Sequence, residues 1–352
     1  MDGVTWALGF VYLWGLVNTQ RLFGTSTTIR AISMLVVASG FAWLTHFAFY
    51  AISDVLEKKE FENLQARLVA NNKKIKRGVP FITAIILVLC FQLGTPLYVV
   101  AITAIVAELV GKLMWGGFGK NIVNPAGVAF LLAGFIFGSE FFTPGLAVNV
   151  DAVSSATPLM LVDTHWYYGA EQAQAFQLLF GNFWDLLVGN VPGSMAEMSR
   201  LGIILAFAFM VYKKIIDWTI PAIIVGSITV MTLVVGLIHG FDLMYPFFHL
   251  LNGGLLFGTV FMATDPSTIP KNKAAKVMFS IVLATLTLIL RFRTLNYIEG
   301  FMIALIIMNL FHPWINEKLA PLNKKELPVR RNVYIISFVS SLVVVLLLTI
   351  GL

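Results

Sequence analysis

The chain has 352 residues, 58% of them hydrophobic and 12% charged, with 24 Lys and Arg against 18 Asp and Glu. Soluble domains carry about 25% charged residues, so this composition, with a mean hydropathy of +0.85, excludes a soluble globular protein and indicates an integral membrane one. The single cysteine, Cys90, excludes a disulfide framework and any cysteine-ligated zinc or iron–sulfur centre built by this chain alone.

About ten or eleven apolar segments approach the roughly 20 residues that cross a bilayer. In chain order they are 4–18, 31–52, 80–94, 97–114, 125–140, 201–213, 219–239, 245–263, 276–291, 297–312 and 333–352. The first is short enough to lie in the interface, and no small-residue cleavage site follows it, so it reads as mature sequence. Several others are short and flanked by Gly or Pro, the pattern of broken or tilted helices packed around an internal site. The fold class is therefore an all-α polytopic membrane protein. A weak inverted symmetry runs through it, because the Gly116–Ala126 and Gly189–Ser199 turns, expected on opposite sides, each lead into an apolar helix.

Orientation follows the bias of Lys and Arg towards cytoplasmic loops. Residues 54–78 carry Lys58, Lys59, Arg67, Lys73, Lys74, Lys76 and Arg77. Lys213-Lys214, the Lys271, Lys273 and Lys276 group, and Lys318 through Arg331 are three further basic connections. Threading the spans puts all four on one side, with Arg291 and Arg293 on the other as exceptions. The net charge of +6 is then loop bias and implies no nucleic acid. Residues 141–200 fall on the outer face.

Polar groups inside apolar segments mark either structure or an ion path. Glu108 and Lys112 stand at i,i+4, the spacing of a self-neutralising pair, which reads equally as a structural ion pair and as part of an ion path. Glu197, beside the Pro192-Gly193-Ser194 turn, is placed to cap a short outer helix, to bind a cation or to shape a cofactor pocket. Asp265, ahead of Pro266, ends a helix on the inner side, with capping as the simple role and cation handling as the sharper one. The Gly116-Gly117-Phe118-Gly119 cluster lacks the Lys-Ser/Thr ending of a P-loop and follows no strand. It reads as a tight turn from which Asn124-Pro125 starts a broken helix, whose free N–H groups suit a phosphate or a carbonyl. The five histidines include no i,i+4 pair, and most read as interfacial or structural.

The outer stretch Asp151-Ala152-Val153-Ser154-Ser155-Ala156-Thr157, followed by Pro158-Leu159, is polar and built of small residues. One reading is a surface loop whose hydroxyls satisfy local backbone groups. The other comes from resemblance. The stretch resembles the flavinylation signature, roughly D-x-x-[ST]-G-A-T, with Ser155 at the glycine position, in which the last threonine is esterified to the phosphate of FMN by a flavin transferase. Four further stretches share its context: 111–127, 189–199, 249–268 and 299–309. Together, in order and spacing, they resemble the RnfD/NqrB family over about residues 80–325, and the Ser-Ala-Thr-Pro-Leu wording is closer to RnfD. Met198 stands where the family has threonine, and the glycines that follow the Thr264-Asp265-Pro266 turn in the family are absent.

The resemblance implies a repeat fold related to urea channels. It also implies a subunit of an Rnf-like complex of the inner membrane, coupling ferredoxin and NAD redox chemistry to movement of Na+ or H+. It implies covalent FMN on Thr157, with Asp151, Ser154, Ser155, Ala156, Asn124 and Glu197 around the cofactor and Glu108, Lys112 and Asp265 as ion-path candidates. Partners would be a second flavin subunit and iron–sulfur subunits. The chain then divides into 1–79, membrane segments with a basic loop; 80–325, the family core with the outer loop 141–200; and 326–352, a C-terminal span. Two other classes stay open on the residues alone: a channel or secondary transporter for a small solute, and a membrane scaffold without a cofactor.

Overall fold

A long apolar stretch without proline opens the chain, and it forms helix α1, Asp2–Leu56, helical at every residue except Gly24 (φ 80°, ψ −174°). The computed structural model describes residues 2–61, 63–138, 183–191, 193–241, 243–293, 300–319 and 327–349. At Gly24 α1 folds back on itself. Tyr12 Oη donates to Ala31 O at 3.0 Å across 19 residues, which in a continuous helix would lie about 28 Å apart. The expected spans 4–18 and 31–52 are the two arms of this hairpin. The first arm outruns its apolar run because its polar residues are satisfied: Asn18 Nδ2 donates to Val188 O at 3.0 Å and Met198 O at 2.7 Å, and Thr19 Oγ1 to Gly15 O at 2.8 Å.

Polar α2 (Leu64–Gly78) is capped by Asn63, whose side chain accepts from Ala66 N, and it places Lys76 and Arg77 in its last turn, where cations suit the helix dipole. Val79 reverses the chain at φ 47°, and Pro80 opens α3 (Pro80–Cys90). Next come α4 (Leu97–Leu109) and α5 (Pro125–Phe137). At 11, 13 and 13 residues, these three are only about 16–20 Å long, short of the ~30 Å hydrocarbon layer. Their ends therefore fall at membrane depth, as broken helices do around an internal site.

The second half opens with α6 (Phe183–Val188), α7 (Arg200–Tyr212) and α8 (Thr219–His239). The expected span 245–263 is interrupted. Helix α9 (Tyr245–Leu251) stops at Asn252, and after Gly253 (φ 72°) a single helical turn, α10 (Leu255–Phe257), runs into the π-helical turn Gly258–Met262. Helices α11 (Lys273–Arg293), α12 (Phe301–Lys318) and α13 (Leu327–Thr349) complete the chain. Among the described residues five segments are long and apolar enough to cross a membrane: those of α1, α8, α11 and α13, and α4 when it is continued through the following turn to Trp115. The hairpin α1 packs on α3, α4 and α7; α11 packs on α8, α12 and α13; and contacts of α5 with α4 and α12 join the two halves. This is an all-α polytopic membrane protein.

Candidate functional site

Two broken-helix ends meet at a cavity of about 550 Å³. One side is the turn between α4 and α5. Gly116, Gly117 and Gly119 have φ of 101°, 95° and 83°, a region that costs glycine little and other residues more. The turn delivers Asn124 as the cap of α5, its Oδ1 accepting from Gly127 N at 3.1 Å, with Pro125 in the first turn where no N–H is needed. The other side is the end of the π-helical turn. There Asp265 Oδ1 accepts from Ser267 N at 3.0 Å and Oδ2 from Asn121 Nδ2 at 3.4 Å. Asn309 of α12 ties the two sides together, accepting from Asn124 N at 3.0 Å and donating to Thr268 O at 3.0 Å. Asp265 thus closes the turn that follows the π-helical segment and also faces the cavity, which Asn121, Asn124, Thr264 and Lys112 line as well.

Lys112 reaches the cavity from a buried cluster. Its Nζ lies 2.9 Å from Glu108 Oε2 and 3.2 Å from Oε1, and it donates to Gly78 O at 3.0 Å and Thr83 Oγ1 at 2.8 Å. The i,i+4 pair expected from the sequence is present, and a third member joins it. His46 Nε2, from the second arm of α1, sits 2.6 Å from Glu108 Oε2. Glu108 and His46 are fully buried and Lys112 is 2% exposed. Gly78 permits this packing, because a Cβ there would run into the His46 ring.

Glu197 stands elsewhere. It opens the short 3₁₀ turn Glu197–Ser199 ahead of α7, and Ala196 N donates to Leu89 O near the far end of α3 from Thr83. Met210, at the other end of α7, lines the cavity, so the helix holds Glu197 and the cavity about 15 Å apart. The cap of this turn is Ser194 Oγ, accepting from Glu197 N at 3.3 Å, while the Glu197 carboxylate lies against Gly193. The structure therefore gathers Asn124, Lys112 and Asp265, with Glu108 behind Lys112, and sets Glu197 apart from Asn124. Asp151, Ser154, Ser155, Ala156 and Thr157 lie outside the described residues.

Near the Glu197 end, two buried arginines neutralise the C-terminus of α9. Arg291 donates to His249 O at 2.6 Å and Asn252 O at 2.9 Å; Arg200 donates to Leu251 O and, at 3.1 Å, to Leu186 O. Arg291 is fully buried. Its place on the sparsely basic side is explained by this internal duty, so it is no loop charge.

Sequence reasoning missed His46. The available signal was its i,i+4,i+8 spacing with Tyr50 and Asp54 along one helix face.

Over residues 16–325 the chain matches the NQR2, RnfD, RnfE family, so the match starts well before Pro80. It is 32% identical over 249 residues to a membrane-complex protein of Clostridium ljungdahlii, a component of its proton-translocating ferredoxin:NAD(+) oxidoreductase, covering 70% of this chain and 74% of that protein. It is 30% identical over 252 residues to a component of the Na(+)-translocating NADH-quinone reductase of Chromohalobacter salexigens, covering 70% and 59% of the two chains. The Neisseria meningitidis serogroup B protein of the same name is 30% identical over 322 residues, covering 90% and 72%.

Proposed function

This chain belongs to the NQR2, RnfD, RnfE family, and on that footing we propose that it is the flavin-carrying membrane subunit of an ion-translocating electron-transport complex of the Rnf type. The observation that carries the reading is the pairing of family membership with the Asp151–Thr157 stretch, whose last hydroxyl is the acceptor in the signature it resembles. FMN esterified to Thr157 would supply electron transfer, since the cofactor carries the chemistry and the protein places and tunes it. The described residues hold two broken-helix ends, Asn124-Pro125 and Asp265-Pro266, around a polar cavity beside a buried Glu108–Lys112 pair. That is the construction expected of an ion path near the bilayer midplane.

In this reading the basic connections 54–78 and 318–331 face the cytoplasm and 141–200 face outward, where an exported flavin transferase has access. Partner subunits supply the NAD and ferredoxin sites, one further flavin and the iron–sulfur centres. The test is yellow-green fluorescence of the denatured chain under ultraviolet light, with peptide mass spectrometry of Thr157. Chain made alongside an active transferase should carry FMN at that position, and Thr157→Ala should insert in the membrane without it. Unmodified Thr157 under those conditions sinks the flavin reading. It would favour the second reading that the cavity supports, a channel or transporter for a small solute.

A further inference from the structure

The cluster beside the cavity has the wrong ligands for a metal cation. Hard cations take a shell of oxygen ligands, whereas the Glu108 carboxylate is met by two nitrogens, His46 Nε2 at 2.6 Å and Lys112 Nζ at 2.9 Å. The ammonium group already stands where a cation would sit. With Glu108 ionised and Lys112 charged the pair is neutral, and His46 is then the member able to take up one more charge. Its Nε2 faces the carboxylate, and its Nδ1 is buried with no hydrogen-bond partner among the described residues. Buried ring nitrogens are ordinarily paired, so this atom is a vacant proton acceptor.

The surroundings connect the group to the surface on one side and to the cavity on the other. His46, Tyr50 and Asp54 recur at i, i+4 and i+8 on the second arm of α1, one above another on a single face. The His46 and Tyr50 rings meet edge to face at 5.9 Å, and Lys74 Nζ lies 5.3 Å from the centre of the Tyr50 ring. Asp54 accepts from Asn71 at 2.8 Å and from Lys74 at 3.1 Å, and the Lys74 side chain is 34% exposed, so this end reaches the surface. At the opposite end Lys112 and Thr83 line the cavity. The groups facing His46 are Tyr50 on its own helix, Gly78 at the end of α2, and Glu108 from α4; Lys112 and Thr83 follow behind Glu108.

We propose that His46, Glu108 and Lys112 form a proton-binding site of this subunit, with His46 as the group that gains and releases the proton between the Asp54 end of α1 and the cavity. It rests on the reading of the chain as an ion-translocating subunit and deepens it by naming the ion. In the neutral state the Nε2–H of His46 donates to the ionised Glu108. A proton arriving at Nδ1 makes the imidazolium, whose added positive charge Glu108 holds. Loss of the Nδ1 proton restores the starting state, whereas loss of the Nε2 proton to Glu108 leaves the Nδ1–H tautomer, which must shift that proton back to the carboxylate-facing nitrogen before the site can turn over again. A negative charge added to the complex on reduction would favour the protonated state, and its removal would favour release.

The test uses the complex that contains this chain, purified through a tag on it and sealed into vesicles, with electron flow, internal pH and 22Na uptake recorded together. The wild type should acidify or alkalinise the lumen in Na+-free buffer. His46→Gln keeps an N–H for Glu108 but gains no proton, and it should lose the protons moved per electron. Wild-type transport of Na+ without protons, or an unchanged proton-to-electron ratio in His46→Gln, overturns the proposal while leaving the ion-translocating reading intact. Electron flow with no ion movement in the wild type overturns that reading and this site with it. Should His46→Gln fail to assemble, redox-difference infrared spectra of wild-type complex carrying isotope-labelled histidine decide. An imidazolium band that appears or vanishes on reduction supports the site, and its absence rules the site out.

Discussion

Buried charge is handled in two different ways at the two ends of α3 and α7. At the cavity end, Lys112 and His46 are neutralised by another side chain, Glu108. At the Glu197 end, Arg200 and Arg291 donate to main-chain carbonyls, those of Leu186, His249, Leu251 and Asn252. Arg30 repeats the second solution at the break after α3, donating to Leu93 O at 2.7 Å and to Gly94 O and Thr95 O at 3.0 Å. The two solutions have different consequences. A guanidinium stays charged under all conditions and a carbonyl cannot ionise, so the arginine caps are fixed fasteners of broken helices. A cluster of carboxylate, imidazole and ammonium can change its charge, so the cavity end has a means of responding to a redox event that the arginine caps lack.

The largest effect is therefore expected at a fastener. Arg291→Met removes two hydrogen bonds to a charged donor, each worth about 1.5–3 kcal/mol, and leaves two carbonyls buried without them. The outcome should be a sharp fall in thermal stability in detergent and in the amount of chain recovered from the membrane. No second side-chain change should rescue it, because the unpaired groups belong to the backbone.

The cavity cluster should behave oppositely. Glu108→Gln leaves the Lys112 ammonium without its counter-charge, a loss of about 3–5 kcal/mol when one partner of a buried pair is removed. Adding Lys112→Met to it should recover part of that stability, since the unpaired buried charge is then gone as well. A double variant no more stable than Glu108→Gln would break the comparison, by showing that Lys112 is held mainly through Gly78 O and Thr83.

These pairs also show what the sequence can and cannot reveal. Glu108 and Lys112 were legible because helix geometry alone brings i and i+4 together, and Asn124 because a capping residue next to proline is a local signal. The interruption within 245–263 was not read from the sequence, where the segment stands as one span, although Asn252-Gly253-Gly254 lies at the break. His46 was not legible as a partner, since its contact with Glu108 spans 62 residues and depends on how α1 packs against α4. Arg291 looked like an exception to the charge bias because burial against a neighbouring helix end leaves no trace in its own segment. Asn124 and Glu197 were grouped by family context, yet α7 holds them at opposite ends. The spans 4–18 and 31–52 were legible as separate segments, but the turn at Gly24 was not named, since a lone glycine in a polar linker does not fix where the chain returns; the Tyr12–Ala31 bond does.

A smaller effect is expected where the two broken ends are tied together without any charge. Asn309→Ala withdraws the acceptor for Asn124 N and the donor for Thr268 O, all buried, at a cost of about 1–3 kcal/mol. If Asn309 also sets the shape of the cavity, the variant should lower electron or ion transport in vesicles more than its stability loss predicts.

The smallest effect concerns a charge pair at the membrane edge, between a connection and the first turn of α11, which tests whether charge neutralisation matters only where water is excluded. Asp217, in the connection between α7 and α8, meets Lys276 Nζ at 2.6 Å, and its carboxylate also accepts from Thr219 N at 3.0 Å and Thr219 Oγ1 at 2.6 Å. Partial burial pushes the carboxyl up, but the Lys276 bond, the two Thr219 bonds and the Lys276 charge outweigh it and hold it at about 2, below the ordinary 3.8. A carboxylate depressed in the folded state contributes stability that is fully present above its unfolded value and lost as pH falls through its folded one. The window for Asp217 is thus from about pH 4 down to about pH 2. The Asp217 side chain is 36% exposed, so solvent screening limits the contribution to the range of surface pairs, about 0–1 kcal/mol. Asp217→Asn should lower the thermal midpoint slightly at pH 7. The gap between variant and wild type should close as the pH is taken below 4, and added salt should narrow it at neutral pH. A gap as large as that of Glu108→Gln, or one insensitive to both pH and salt, would show that this exposed pair is held as rigidly as the buried cluster.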